Sequence, residues 1–272
     1  MESAARLPKC RPASADALGA SVPMPHAAVA DDSLPLTAPG RHYNRDMKLG
    51  ILAVLLLCPL ALAQKPVDLA SDPHYHLLLD NDTVRVYAMT LRPDDSAFVR
   101  MEHSFMTVTL QDGEIILWDA GKSPIQHFQM HKGETSFVCL TPEQQSKGVA
   151  GGFRNDRPQE YRNITVEFKD RLLGWAMLTG GTISPPASMY LGGALVADVL
   201  LQPSDSFPAP DKPGPELVIP VSPVDLKNGS GLRVRSSPGE VSWIPADHAS
   251  SLANAARDPA RFIIVEFQPD NP

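Results

Sequence analysis

The sequence predicts an all-β fold built as two similar halves, and three observations lead there. Residues 153–168 and 252–267 align without a gap at an offset of 99 (252 − 153), sharing Asn155/Asn254, Arg162/Arg261, Ile164/Ile263 and the closing Val-Glu-Phe. Short runs rich in Val, Ile, Thr and aromatic residues alternate with Gly and Pro punctuation through most of the chain, the pattern of a sandwich or barrel. Helix-like windows are few; the alanine-rich stretch 248–257 sits between Pro245 and Pro259 and reads as non-helical.

The chain opens with residues 1–46, rich in Ala and Pro and without helical or strand period. Such a segment cannot bury enough apolar surface to offset its ordering entropy. We read it as an extension upstream of the true start at Met47, or else as a disordered tail. Met47-Lys48 and the apolar run Leu49–Ala63, ending Ala61-Leu62-Ala63, read as a secretory signal peptide over 47–63 cut before Gln64. The run is shorter than the roughly 20 residues a membrane span needs. Leu57 precedes Cys58, where lipoprotein processing needs a small residue. The expected location is therefore periplasmic or secreted, with no membrane contact after cleavage.

With 24 Lys+Arg against 31 Asp+Glu the net charge is −7, and no basic cluster interrupts it. Nucleic acid and anionic membrane are thereby excluded as partners. Of three cysteines, Cys10 and Cys58 precede the expected cleavage point, so Cys139 stands alone and no intramolecular disulfide is possible. Its setting, Phe137-Val138-Cys139-Leu140, suggests a small buried hydrophobe.

Thr83–Leu91 alternates polar with apolar and stops at Pro93-Asp94-Asp95. Phe105–Leu110 and Glu114–Trp118 flank Asp112-Gly113, a hairpin signal. His74 and His76 precede Leu77-Leu78-Leu79, an N-terminal strand available for edge pairing or for a second subunit. The repeat extends through two further blocks. Leu91-Arg92-Pro93-Asp94-Asp95-Ser96 matches Leu201-Gln202-Pro203-Ser204-Asp205-Ser206 at offset 110 (201 − 91), and Gly133-Glu134 matches Gly239-Glu240 at offset 106 (239 − 133). Shrinking offsets mean shorter loops in the second copy. We place the copies at 64–170 and 171–272, joined near 170–180, where Gly180-Gly181 and Pro185-Pro186 interrupt regular structure.

These ordered blocks resemble the cupin superfamily, specifically exported two-domain members. The resemblance implies two tandem small jelly-roll barrels forming a bicupin. It also implies a divalent metal held by a His-x-His pair, a later carboxylate and a His four residues before the repeated Asn. Here the implied positions hold other residues. Val99 and Met101 stand in for His-x-His and Gly151 precedes Asn155 by four; in the second copy 208–213 offers no His and Ser250 precedes Asn254. The framework is kept and the ligands are lost, so no metal cofactor is expected.

The remaining histidines are weak ligand candidates. His103 beside Glu102 and His248 beside Asp247 cannot both face inward with their neighbours, because adjacent strand residues point oppositely. His127 and His131 would chelate on a helix, but Pro124 and Gly133 bracket them tightly. Asn155 and Asn254 are expected to bond backbone at the barrel rim, and Glu167 and Glu266 to face outward or pair with Arg162 and Arg261. Phe105, Met106, Trp118 and Phe128 are candidates to line a ligand cavity. The expected role is non-catalytic or small-molecule-binding. A metal-dependent dioxygenase or isomerase with a rearranged histidine set is the alternative, as is a structural protein forming a homodimer through open sheet edges. No catalytic residue can be named.

Overall fold

A computed structural model describes residues 65–119, 126–169, 187–191, 193–210 and 212–268. The extension 1–46, the signal peptide 47–63 and the join near 170–180 lie outside the described residues. The first half contains β1 (Val67–Asp68), β2 (Tyr75–Asp80), β3 (Val84–Leu91), β4 (Ser96–Met101) and β5 (Ser104–Thr109). It continues with β6 (Gly113–Asp119), β7 (Gln126–Met130), β8 (Thr135–Val138), the helix α1 (Pro142–Lys147), β9 (Val149–Arg154) and β10 (Tyr161–Phe168). The second half contains β11 (Ala187–Leu191), β12 (Ala194–Leu201), β13 (Ser206–Phe207), β14 (Glu216–Pro220) and β15 (Val224–Asn228). It closes with β16 (Arg233–Ser236), β17 (Ser242–Ile244), β18 (Leu252–Asn254) and β19 (Ala260–Phe267).

Each half is a two-sheet jelly roll. In the first, sheet β1-β4-β9-β6-β7 faces sheet β2-β3-β10-β5-β8; in the second, β11-β12-β19-β14-β17 faces β13-β18-β15-β16. The alternation of β3 is real but two-sided. Tyr87, Met89 and Leu91 fill the first barrel, while Val84 and Val86 point away from it into a third core. That third core lies between the halves and joins Val166 and Phe168 of β10 to Val265 and Phe267 of β19. Phe267 meets Phe168 at 6.2 Å and Trp243 at 5.4 Å between ring centroids. Full burial of each such side chain contributes about 1.5–3 kcal/mol, so the halves hold together as firmly as a domain interior. The repeated Val-Glu-Phe thus closes the barrel with its Glu and joins the halves with its Val and Phe.

The other repeated residues hold the frame in register. Asn155 Nδ2 donates to the Leu91 and Gln159 carbonyls while its Oδ1 accepts from Arg157 N. Asn254 does the same with Leu201, Asp258 and Ala256. The rim role expected for both is what the hydrogen bonds show. The turns they brace carry Asp94 at φ 64° and Ser204 at φ 70°, left-handed positions kept by backbone bonds from Asp94 N to Asn155 O and from Ser204 N to Asn254 O. Glu134 accepts from His131 N and Glu240 from Ser237 N. Finally, the repeated arginines cross between halves. A Cβ on Gly133 (φ +84°) would lie 2.5 Å from Arg261 Nη2, and one on Gly239 (φ +100°) 2.7 Å from Arg162 Nη2. Each copy's arginine therefore rests on the other copy's glycine.

Two expectations are corrected. Asp112-Gly113 does not make a hairpin: β5 pairs with β8 and β10, and β6 with β7 and β9, so the turn carries the chain from one sheet to the other. A local reversal signal specifies a change of direction, and burial of both strand faces then decides the partners. Cys139 is exposed, because it follows β8 at a sheet edge, where Val138 is exposed too. Residues 126–130 form strand β7, which sets His127 and His131 roughly 13 Å apart. The sequence reading also passed over α1. Its signal was Thr141-Pro142 followed by Gln144, and the two form a reciprocal cap, Gln144 N to Thr141 Oγ1 and Thr141 N to Gln144 Oε1.

Candidate functional site

The concave side of the first barrel is the candidate site, and its two walls differ in chemistry. One wall is built by β4, β9 and β6: Val99 and Met101, with Gly151 paired to Val99 and Leu117 paired to Phe153. Val99 and Met101 belong to the barrel's apolar core, as the alternation of β4 requires. The positions expected to carry His therefore do converge inside the barrel. They carry the wrong chemistry, for a Cβ on Gly151 would lie 3.4 Å from the Met101 methyl, which occupies the space a His would use. Val99 and Gly151 offer no donor atom and Met101 only a thioether, so a divalent metal does not fit these residues. Among the described residues no group of three or more His, Cys, Asp or Glu side chains could hold one.

The facing wall is polar. Along β10 the inward residues are Tyr161, Asn163, Thr165 and Glu167, opposite Leu91, Met89, Tyr87 and Arg85 of β3 on one side. Thr109, Thr107 and Phe105 of β5 lie opposite Asn163, Thr165 and Glu167 on the other. Thr165 Oγ1 donates to Asn163 Oδ1 at 3.1 Å, and the Thr109 and Tyr161 hydroxyls lie 3.5 Å apart. Tyr87 is 1% exposed, and its hydroxyl has no hydrogen-bond partner among the described residues. Glu167 is 4% exposed, with Arg85 Nη1 at 3.8 Å from its carboxyl. Burial raises Glu167 to about 7, against the lowering by Arg85 and helped by Glu102. Burial likewise raises Tyr75, Tyr87 and Tyr161, which therefore stay protonated donors. Thr107, Leu117, Gly151 and Phe153 keep partial exposure although they face inward, so solvent reaches this interior.

Glu167 and Glu266 were expected to face outward or to pair with Arg162 and Arg261; both point into their barrels, Glu167 toward Arg85. The strand period forces this, since Val166, Phe168, Val265 and Phe267 take the opposite face for the core between halves. Arg162 instead approaches Glu160 (3.8 Å), and Arg261 pairs with buried Asp198 (2.8 Å).

The four cavity candidates do not line one cavity. Phe105 is in the first barrel, Met106 in the core between halves, and Phe128 is 36% exposed on edge strand β7. Trp118 stacks on Phe98 at 6.3 Å across Gly152, whose missing Cβ gives its ring room on the barrel's outer face. The histidines are dispersed too. His103 sits between β4 and β5, partly exposed, and His248 is exposed with Nε2 3.9 Å from Asp247. His74 bridges Asp72 (2.8 Å) and Asp95 (3.6 Å), while His76 is exposed on β2. His127 bonds Glu114 (2.7 Å) in an outer cleft of about 260 Å³, with Ile116, Asp156 and Arg157. Glu114 also pairs with Arg157 there, and Arg154 with Asp156, so those charges are already answered.

The second barrel diverges from the first. Its interior is apolar, with Val218, Leu226, Ile244, Leu252, Phe262 and Ile264 all buried. Within it Glu216, 1% exposed, lies directly opposite the inward-pointing Glu266. Burial, and then the neighbouring Glu266 carboxyl, raise Glu216 to about 7.

The arrangement has counterparts among solved structures. A bacterial pirin, YhhW, from Escherichia coli in complex with nickel(II) superposes with a TM-score of 0.51 at 10% identity, over 69% of this chain and 83% of that one. Protein YlbA from E. coli gives 0.50 at 12% identity, over 74% and 87%. A cupin 2 conserved barrel domain protein from Leptotrichia buccalis gives 0.47 at 12% identity, over 71% and 88%. No family model matches the sequence, and no curated protein does. The chain has the all-β fold of the cupin superfamily, and at such identities the likeness is one of fold.

Proposed function

We propose that this is an exported cupin-fold protein that binds a small molecule in its first barrel without the metal ligands usual to the fold. The observation that carries this is the pairing of unlike walls in one interior. Val99, Met101 and Gly151 replace metal donors by apolar surface, while Tyr87, Thr107, Thr165 and Glu167 present hydroxyls and a carboxyl. A ligand with hydroxyl groups on one side and carbon–hydrogen surface on the other, such as a sugar, matches both walls. The nickel(II) of the pirin belongs to that protein.

The test is metal analysis of protein purified without chelator, followed by saturation-transfer NMR against a panel of sugars and polyols. The reading expects no stoichiometric metal, and binding that weakens at least tenfold in Tyr87→Phe and Thr107→Val. Stoichiometric metal that disappears on replacing His103 or His248 would sink it.

A further inference from the structure

The outer face of the first barrel carries side chains that the second barrel lacks. Strand residues alternate between faces, so Glu114, Ile116 and Trp118 of β6 point away from the interior that Ile115 and Leu117 help to fill. Trp118 stands opposite Gly152 of β9, and Gly152 stands opposite Phe98 of β4. A Cβ on Gly152 would fall within the indole, so the ring lies over the glycine. The indole runs nearly parallel to the Phe98 ring, at 11°. Phe98 is 9% exposed while Trp118 keeps partial exposure, so the indole covers the phenyl and turns surface to solvent.

The cleft of about 260 Å³ lies on this same face, with Ile116 two residues along β6 from Trp118. Its polar side chains are held in place, Glu114 by His127 and Arg157 and Asp156 by Arg154. Such pairing orients planar groups without exhausting them, since a guanidinium has five N–H donors and a carboxylate about four lone-pair sites. Asp156 and Arg157 remain 37% and 52% exposed, so their unused atoms face solvent. Groups fixed before a ligand arrives lose little freedom when it binds.

The second copy serves as an internal control. At the repeat's offset of 99 (251 − 152), Gly152 corresponds to Ser251, Asp156 to Ala255 and Arg157 to Ala256. The residue bonded to Ser251, where Trp118 would stand, is Gly229. The indole, the glycine under it and the charged pair beside it are therefore missing together, although Asn155 and Asn254 are kept. The frame does not require them.

We infer that this face is a glycan-binding site separate from the barrel interior, in which a sugar ring stacks on Trp118 and its hydroxyls bond Glu114, Asp156 and Arg157. The negative face of an aromatic ring attracts the polarised C–H bonds on one side of a pyranose. The hydroxyls at the sugar's edge need planar donors and acceptors, which the cleft supplies. It is smaller than a drug-sized pocket and suits a single ring. A purely apolar ligand would leave the charged side chains unmatched, and a phosphate would meet two carboxylates.

Tryptophan fluorescence of the full chain, titrated with oligosaccharides of glucose, xylose, mannose, N-acetylglucosamine and galacturonic acid, tests this. At least one should shift the emission. Trp118→Ala should abolish the shift, and Arg157→Ala, which leaves the indole in place, should weaken binding about tenfold, read also by calorimetry. No response to any member of the panel, or unchanged affinity in folded Arg157→Ala, would overturn the proposal. Equal loss in Tyr87→Phe would do so too, since the sugar would then sit inside the barrel. So would a sedimentation coefficient that changes in Trp118→Ala while sugars have no effect, which would make the face a contact between copies of the chain.

Discussion

Arg162 and Arg261 occupy the same place in the repeat, yet replacing each with Ala should have very different consequences. Arg261 grips Asp198 with two nitrogens, Nε to Oδ1 at 3.2 Å and Nη2 to Oδ2 at 2.8 Å, and Nη1 reaches the Lys132 carbonyl at 3.3 Å. The Asp198 side chain is 2% exposed, so Arg261→Ala leaves a desolvated carboxylate without its partner. Such losses cost about 3–5 kcal/mol. The position equivalent to Asp198 in the first copy is Ala88 (198 − 110), and among the described residues Arg162 pairs with Glu160 at 3.8 Å, with side chains 40% and 43% exposed. An ion pair that exposed contributes at most about 1 kcal/mol. Urea and thermal denaturation should therefore separate the variants, with Arg261→Ala lowering Tm by roughly 10 °C and Arg162→Ala by about 2–4 °C or less. The double variant Arg261→Ala/Asp198→Ala should recover part of the loss, because the stranded charge is gone. Two single variants within about 1 kcal/mol of each other would refute the reasoning.

Three further outcomes are expected. Asn155→Ala and Asn254→Ala each remove three hydrogen bonds at a buried turn and should cost about 2–4 kcal/mol apiece, in similar amounts, measured as urea midpoints. Glu167 lies at about 7 in the fold against an ordinary 4.5, so its contribution is full below pH 4.5 and is lost as pH rises through 7. Stability should decline across that window by up to about 3 kcal/mol more in the native chain than in Glu167→Gln, followed by chemical denaturation at stepped pH; parallel curves would rule this out. Restoring donors with Val99→His, Met101→His and Gly151→His should create nickel or zinc binding visible by calorimetry. No uptake by a folded triple variant would show that the three positions do not converge.

Much of the frame was legible before any coordinates. Asn155 and Asn254, the Gly-Glu pairs and the Val-Glu-Phe endings marked a duplicated β-module because turn and rim residues act through the backbone, and their demands are local. Pairing was less legible. Asp112-Gly113 signalled a reversal, but the strands around it joined different sheets, since partner choice follows from burying both faces of β5 and β6. Glu167 and Glu266 were misplaced for a related reason. A strand buried on both sides sends its carboxyl to whichever interior its apolar neighbours leave, and nothing local says which.

The sequence by itself determined a twofold β-framework and the replacement of metal-binding side chains by Val99, Met101 and Gly151, because strand period, turn chemistry and donor atoms are properties of residues in order. Only the tertiary structure decided that one copy's Glu meets an arginine and the other's a second Glu, that Arg261 holds a buried partner and Arg162 does not, and that the first interior sets a polar wall against an apolar one. Those outcomes depend on which residues face each other across strands, and electrostatic energy in a desolvated interior is set by such neighbours rather than by position in the chain.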